Sequence, residues 1–177
     1  YFKEAIKLSE DDTYLSSITL NREHGKIALP HTAVLRAAVP IYGANKKIFG
    51  IMVINMDFGS ILNKLINQDE HIVFVNGDGD YLGHQNPELN FGFDLGKRHQ
   101  IQGTHPELAY FFEEKSSDKE FSYVSKKTNE SKAIFIIKMQ YDFSDKKHFI
   151  ALVHIEKISA ILAQSTSIVN KTLLLVF

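Results

Sequence analysis

Two charged residues stand in apolar surroundings and are the first candidates for a binding or catalytic role. Arg36 lies inside the otherwise apolar segment 32–42, and Asp57 directly follows the apolar segment 48–56. Because an unpaired charge in a protein core is costly, each side chain must reach solvent, find a partner or face a polar cavity. Two structural roles are the alternatives: an N-cap on the following helix for Asp57, and a salt bridge at a sheet edge for Arg36.

Motifs for other chemistries are incomplete. Asn76-x-Asp78-x-Asp80 has the spacing that opens a calcium loop, but Tyr81 and Pro87 stand where that loop needs its glycine and its bidentate glutamate. A hairpin turn is therefore the better interpretation of this segment. The eight histidines lack the i, i+4 spacing of a helical zinc site, and no glycine-rich loop carries a phosphate-binding lysine. We therefore predict no metal, no cofactor and no catalytic residue.

The composition is that of a soluble globular protein. The chain has 177 residues, 44% apolar and 23% charged, and twenty basic side chains nearly balance twenty-one acidic ones. This balance argues against a nucleic-acid partner, because such proteins concentrate lysine and arginine to neutralise phosphate charge. The chain has no cysteine, so it forms no disulfide and would be indifferent to an oxidising compartment.

Hydrophobic periodicity predicts a mixed α/β fold. Helical patterns cover 1–8, 58–66, 106–115 and the residues that follow 155. Patterns typical of strands cover 13–20, 32–42, 48–56, 71–76, 81–84, 120–125, 133–143 and 148–155. In the helix over 58–66, the spacing places on the buried face Phe58, Ile61, Leu62 and Leu65.

Part of the chain is an internal repeat. Residues 31–62 align with residues 131–162 at a constant offset of 100 positions and without a gap. Identical pairs include Ala33 and Ala133, Phe49 and Phe149, Val53 and Val153, and Leu62 and Leu162. Each copy has the order strand, lysine-containing turn, strand, amphipathic helix, which indicates one supersecondary module used twice. The alternative is a chance likeness between two generic hairpin-helix units.

The repeat defines the expected domain organisation. The second copy opens with a hairpin over 71–84, whereas the first begins directly at its helix. The first module is therefore expected to lack its opening strands, and about thirty residues are expected before Tyr1. We divide the chain into a truncated first module at 1–66, a second module at 67–158 and a C-terminal helix at 159–177.

The chain ends on an apolar run. Residues 173–177 are all apolar and follow a polar stretch at 164–167. Such a run is far shorter than the roughly twenty residues that cross a bilayer. Two interpretations remain open: a last turn of buried helix, and the first turns of a transmembrane helix that continues beyond residue 177.

Four segments carry a family resemblance. The segments YLSSITLNREHG (14–25), VLRAAVPIY (34–42) and FGIMVINMD (49–57), with the hairpin IVFVNGDGDYLGH (72–84), resemble the double Cache sensor domains of bacterial membrane receptors, which are PDC-type and PAS-like. The resemblance covers nearly the whole chain. It implies two α/β modules in tandem, each a central antiparallel sheet with flanking helices, outside the cytoplasmic membrane and between two transmembrane helices.

The resemblance also implies a ligand site in the first, membrane-distal module. In the amino-acid-binding branch of the family, an aspartate in the position of Asp57 holds the ligand ammonium, and aromatic residues at the positions of Tyr1 and Phe2 line the site. The tryptophan of that motif is absent here. Tyr14 and Tyr42 would add rings and hydroxyls to the same pocket, with core packing as the alternative for each. The expected ligand-binding residues are therefore Tyr1, Tyr14, Arg36, Tyr42 and Asp57.

We therefore expect the extracytoplasmic sensor domain of a bacterial receptor, itself not an enzyme, that binds a small metabolite such as an amino acid or carboxylate. The expected output is a histidine kinase or a diguanylate cyclase, with a chemoreceptor as the alternative. The domain is expected on the periplasmic or extracellular side of the inner membrane, as a homodimer through N-terminal helices, anchored by flanking transmembrane helices. Two rivals are a small enzyme with an acid-base site around Asp57 and His31 or His154, and a structural dimerisation domain without a ligand.

Overall fold

The fold is mixed α/β with antiparallel sheets, as the sequence predicts. The structure is a computed structural model that describes residues 1–113, 120–125, 131–142 and 144–174. The strands of these residues are, in chain order, β1 (Tyr14–Leu15), β2 (Thr19–Leu20), β3 (Arg22–Glu23), β4 (Lys26–Ile27), β5 (Ala33–Tyr42), β6 (Ile48–Asp57), β7 (Ile72–Asn76), β8 (Tyr81–Gly83), β9 (Glu120–Ser125), β10 (Lys132–Gln140) and β11 (Phe149–Lys157). The α-helices are α1 (Phe2–Ala5), α2 (Gly59–Ile66), α3 (Ile101–Thr104) and α4 (Ile158–Leu174), and 3₁₀ helices span Pro87–Leu89 and Pro106–Phe112.

The first sheet is built around β5. β6 pairs with one edge of β5 along its whole length, and β1 and β2 pair with the other edge. Runs of β-branched and apolar residues favour the two long strands, and the turn between them contains Gly43 and Lys46, the latter with a φ of 56°. The strands predicted over 32–42 and 48–56 are confirmed as a hairpin.

The strand predicted over 13–20 is wrong as a single element. A bulge splits it into β1 and β2, because residues 16–18 lie opposite only Leu35 and Arg36 of β5. Within the bulge, the Ser16 amide donates to the Arg36 carbonyl (2.9 Å), and the Ser16 hydroxyl accepts from the Arg36 amide (3.0 Å). The hydroxyl oxygen of Ser16 therefore takes the place of a backbone carbonyl in the pairing of the two strands. A hydrophobicity pattern carries no information on such a bond.

The second sheet has the strand order β8-β7-β11-β10-β9 and is also antiparallel. β10 and β11 pair without interruption from Lys132 opposite Lys157 to Gln140 opposite Phe149, which confirms the second predicted hairpin. β11 passes directly into α4 at Ile158. This helix therefore begins without a connecting loop.

A short hairpin of β3 with β4 is missing from the predicted elements. Arg22 pairs with Ile27 and Glu23 with Lys26 around a two-residue turn. His24 and Gly25 in this turn both have a positive φ, of 49° and 79°. Two left-handed residues are typical of the tight turns that match strand twist, so the His24-Gly25 pair was the available signal.

Two predicted helices differ from those observed. The helix predicted over 1–8 forms only as α1, and the one predicted over 106–115 is a 3₁₀ helix at Pro106–Phe112. The helix after residue 155 is confirmed as α4, whereas residues 175–177 of the terminal apolar run lie outside the described residues. Among the described residues, no helix is long and apolar enough to cross a membrane.

α2 buries only part of the predicted face, because Phe58 and Leu62 pack in the core and Ile61 and Leu65 do not. Leu62 and Ile66 are 3% and 4% exposed, whereas Ile61 and Leu65 are 53% and 39% exposed. The helix lies against β7 and β8, so positions four residues apart point inward. Ile66 approaches Gly83 so closely that a Cβ there would lie 2.5 Å from the Ile66 Cδ1, and the Ile66 side chain would have to shift to admit it.

Two hydrophobic clusters fill the interior. One lies in the part of the chain that forms the second sheet. It contains fully buried residues such as Val75, Ile101, Leu108, Ile136 and Val153. The other, here called the shared core, combines residues from both halves of the chain: Ile18, Leu20, Ala33, Leu35, Leu62, Ile66, Phe74, Leu82, Phe91 and Ile150. The two sheets are therefore joined by apolar packing as well as by the chain.

Leu62→Ala tests the shared core. Removing this buried side chain should lower the free energy of unfolding by about 2–5 kcal/mol, because the transfer free energy is lost and a cavity remains. The matched control is Ile61→Ala on the exposed side of α2, which should lower it by less than about 1 kcal/mol. Urea denaturation followed by circular dichroism measures both values, and equal losses would contradict the placement of α2.

Candidate functional site

Arg36 is a half-buried arginine on the central strand of the first sheet. Its Nη1 donates to the Thr19 hydroxyl (3.3 Å) and its Nη2 to the Asn21 side-chain carbonyl (3.2 Å). Within the part of the chain that the structure describes, the guanidinium forms no ion pair with a carboxylate. The alternative of a salt bridge at a sheet edge is not what the structure shows, because β5 has neighbours on both edges and the partners are neutral.

Arg36 and Asp57 form a diagonal pair on one face of the first sheet. Asn55 lies opposite Arg36, and Asp57 lies opposite Val34. Because alternate residues of a strand share a face, Arg36, Asn55 and Asp57 project to the same side, here called the Arg36 face. Diagonal neighbours in an antiparallel pair stand about 7–8 Å apart, a distance that long side chains can span.

The Asp57 carboxylate caps the start of α2 and remains exposed. Ser60 donates to it twice, from its amide to Oδ1 (3.2 Å) and from its hydroxyl to Oδ2 (2.6 Å). These hydrogen bonds, that of the hydroxyl first, hold the pKa of Asp57 below its usual value. The capping alternative is therefore present, and each oxygen keeps further acceptor capacity for a cationic partner.

Tyr1 and Tyr14 lie on or beside the Arg36 face. The Tyr1 ring centroid is 6.0 Å from the Arg36 Cζ, at the outer limit of a cation–π contact. Tyr14 lies opposite Ala38, so its side chain shares the face of Arg36. Burial, and after it the charge of Glu4, raises the pKa of Tyr14, so the phenol is protonated and can donate a hydrogen bond.

Tyr42 has a structural partner. Its hydroxyl donates to the Leu8 carbonyl at 2.6 Å and ties the segment after α1 to the end of β5. A hydroxyl engaged in this way has no proton left for a ligand acceptor. The structural alternative is therefore favoured for Tyr42.

Three polar residues of the Arg36 face are missing from the expected set. Thr19 and Asn21 hold the guanidinium, and Asn55 lies directly across from Arg36. Asn55 had a signal in the sequence, because it is an isolated polar residue between Ile54 and Met56. Thr19 and Asn21 had no comparable signal, because polar residues near a strand end are common.

A Ser-His-Asp chain of contacts connects the two sheets away from the Arg36 face. Ser17 Oγ lies 3.0 Å from His148 Nε2, and His148 Nδ1 lies 2.9 Å from Asp142 Oδ2. Asp145 Oδ2 also approaches the same Nε2, at 3.5 Å. Ser17 and His148 are 131 positions apart, so no sequence pattern could have paired them.

The acid-base pairs of the enzyme alternative are not formed. His154 Nε2 lies 3.6 Å from Asp69 Oδ2 and 4.0 Å from Glu156 Oε2. In the described ranges, no hydrogen bond or ion pair joins Asp57 to His31 or to His154. Across the same ranges, no group of three or more His, Asp or Glu side chains is arranged to hold a metal ion.

Ser60→Ala should raise the pKa of Asp57 toward its ordinary value of 3.8, because the variant lacks the hydroxyl that lowers it most. A carboxyl whose pKa is lower in the folded than in the unfolded state stabilises the fold above its unfolded pKa. That stabilisation is lost as the pH falls through the folded pKa, so the Ser60 contribution should vanish in acid. Ser60→Thr keeps the hydroxyl and is the control. NMR titration of the Asp57 carboxyl carbon measures the pKa, and identical values in both variants would contradict this account.

Comparison with solved structures shows the fold of bacterial sensory domains. The extracellular domain of vpHK1S-Z8, a protein described as a histidine kinase, has 20% identity and a TM-score of 0.69, over 93% of this chain and 57% of that one. A domain of a sensory box/GGDEF family protein from Vibrio parahaemolyticus has 19% identity and a TM-score of 0.57, over 88% and 56%. The ligand-binding domain of the Pseudomonas fluorescens chemoreceptor CtaA, in complex with L-isoleucine, has 12% identity and a TM-score of 0.54, over 92% and 58%.

The sequence itself also matches a family model. The chain spans little more than half the length of the solved structures that it resembles. No curated protein is significantly similar to it in sequence. Residues 1–117, more than half of the chain, match the model for the sensor domain of bacterial histidine kinases. The chain therefore belongs to the sensor-domain family of bacterial histidine kinases.

Proposed function

We propose that the Arg36 face is the ligand site of this sensor domain, and that the ligand is a small zwitterion such as an amino acid. The state of the Arg36 guanidinium is the observation that carries the proposal. It is held by Thr19 and Asn21, and it has no carboxylate counter-charge among the described residues. A positioned guanidinium without a counter-charge can bind a ligand carboxylate through two parallel hydrogen bonds.

Asp57 complements Arg36 on the same face. Its exposed carboxylate would accept hydrogen bonds from a ligand ammonium while Arg36 holds the ligand carboxylate. Hydrogen bonds to charged groups contribute about 1.5–3 kcal/mol each, so the two ends together can select a zwitterion over a simple acid or amine. In the repeat, Arg36 and Asp57 correspond to Ile136 and Lys157, so the second module lacks this pair.

Solved relatives support the ligand class at the level of the fold. The CtaA domain contains L-isoleucine, and the ligand-binding domain of the Campylobacter jejuni chemoreceptor Tlp3 contains L-norvaline, with 15% identity to this chain and a TM-score of 0.53. Both are ligand-binding domains of chemoreceptors. Their ligands make amino acids the first compounds to test here.

We also propose that the two sheets are two Cache modules in tandem, at 1–66 and 67–158, followed by an output helix at 159–177. In the second sheet, β11 pairs with β10 on one edge and with β7 on the other. In the first sheet, the equivalent strand β6 pairs, among the described strands, with β5 alone. A first module that lacks its opening strands accounts for this difference.

In the intact receptor, the domain would stand on the periplasmic or extracellular side of the inner membrane. Flanking transmembrane helices would anchor it, N-terminal helices would form a homodimer, and α4 would lead to the membrane. The output would be a histidine kinase or a diguanylate cyclase. The family match supports the kinase, and the GGDEF relative supports the cyclase.

A second candidate, dimerisation without a ligand, is favoured by one observation. The face of the first sheet opposite Arg36 exposes apolar side chains of β6, namely Met52, Ile54 and Met56. Exposed apolar patches of this kind often mark protein contacts. This candidate predicts self-association in the absence of any small molecule and no saturable binding.

Arg36→Gln and Asp57→Asn should each weaken the binding of an amino acid by about 10- to 100-fold, because each removes one charge-assisted contact. L-isoleucine and L-norvaline are the first probes, and isothermal titration calorimetry on the folded chain measures the affinity. Lys47→Gln, an exposed charge in the turn between β5 and β6, is the control and should leave the affinity unchanged.

The two variants should also fail to recognise different groups of the ligand. In Arg36→Gln, replacing the ligand carboxylate by an amide should no longer change the affinity. In Asp57→Asn, removing the ligand ammonium should no longer change it. Unchanged affinity in both variants would refute this site. A full set of L-amino acids that leaves the melting temperature of the folded protein unchanged would refute the ligand class.

A further inference from the structure

Segment 16–22, here called the strap, lies between the Arg36 face and the second half of the molecule. It contains the bulge at 16–18, strand β2 and the start of β3. Its hydrogen bonds have two destinations, strand β5 with the preceding Thr32 on one side and residues beyond position 90 on the other. One short segment therefore contacts both halves.

Toward the Arg36 face, the strap forms hydrogen bonds with both the backbone and the guanidinium of Arg36. Ser16 exchanges two hydrogen bonds with the Arg36 backbone, at 2.9 and 3.0 Å. Thr19 and Asn21 accept from the guanidinium at 3.3 and 3.2 Å. Both acceptors are neutral, so a carboxylate is a stronger acceptor for this guanidinium than either of them.

Toward the second half, the strap is held by short polar contacts. Asp94 accepts from the Leu20 amide at 2.7 Å and from the Arg22 guanidinium at 2.7 Å. Ser17 Oγ lies 3.0 Å from His148 Nε2. The strap is therefore fixed more firmly to the second half than to the arginine side chain.

His148 lies between the strap and the strand that leads to α4. It immediately precedes β11, and Asp142 holds its other ring nitrogen at 2.9 Å. β11 then runs without interruption to Lys157 and into α4. The Ser17–His148 contact therefore lies at the start of β11, and α4 follows the other end of the same strand.

We propose that the strap transmits the occupancy of the Arg36 face to β11 and α4. A carboxylate that binds the guanidinium draws it away from Thr19 and Asn21, because a charged acceptor outcompetes two neutral contacts. The side chains of Thr19 and Asn21 are then freed, and the strap, whose backbone stays paired with β5, shifts toward Asp94 and His148. By linkage, the factor by which a bound ligand shifts the Ser17–His148 equilibrium is also the factor by which forming that contact changes the ligand affinity. The identity of the ligand rests on the proposed function, but the mechanical link does not.

A double-mutant cycle without ligand tests the link directly. Arg36→Gln, His148→Gln and the double variant are compared by their equilibrium constants of unfolding in urea. The two side chains share no hydrogen-bond partner, so independent sites would give multiplicative effects. We expect a departure from multiplicativity of at least about threefold.

His154→Gln provides the matched control for this cycle. His154 also lies on the second sheet, but its acidic neighbours are Asp69 and Glu156, away from the strap. In the cycle of His154→Gln with Arg36→Gln, the effects on the equilibrium constant of unfolding should multiply within about twofold. Multiplicative behaviour in both cycles, or an equal departure in both, would overturn the proposal.

A second pair of variants keeps the test valid if the double variant does not fold. Ser17→Ala removes the hydroxyl, and Ser17→Thr retains it. Backbone amide shifts of 148–152 measured by NMR should respond to Arg36→Gln in the Ser17→Thr background and not in the Ser17→Ala background. A response in both backgrounds, or in neither, would refute the strap. Because neither experiment uses a ligand, failure to bind amino acids would refute the proposed function alone.

Discussion

The structure depends on one apolar interface, the shared core between the two sheets. Leu35 and Leu62 from the first half pack with Phe74, Leu82 and Ile150 from the second. Each square ångström of apolar surface buried in this way stabilises the contact by about 25 cal/mol, so the packing favours the association of the two halves. It also fixes the geometry, because close-packed interiors transmit displacement instead of absorbing it.

The charged residues of the Arg36 face sit on the opposite side of β5 from this interface. Leu35 points into the shared core, whereas Arg36, the next residue, points to the other face. A movement of β5 at the Arg36 face is therefore also a movement of its contact with the second half. A sensor needs this arrangement, because a ligand shifts a conformational equilibrium only through contacts that differ between its states.

The sequence allowed the two long hairpins and the isolated charges to be predicted, because both are local patterns. Apolar runs of ten residues around polar turns specify β5 with β6, and a lone arginine or aspartate is visible without any partner. The split of segment 13–20 was not predictable, since it depends on Ser16 meeting Arg36 twenty positions away. The burial of Ile66 in α2 likewise depends on packing against β7 and β8, which local periodicity does not contain.

Because α4 directly follows β11, a small rotation where they join moves the far end of the helix most. α4 has 17 residues, so at 1.5 Å per residue it is about 26 Å long, and its near end directly follows a strand of the second sheet. Rotating the base of such a helix by about 5° displaces its far end by about 2 Å, an amount comparable with helix shifts that switch proteins between states. The sheet thus needs to twist only slightly, and the length of the helix supplies the amplification.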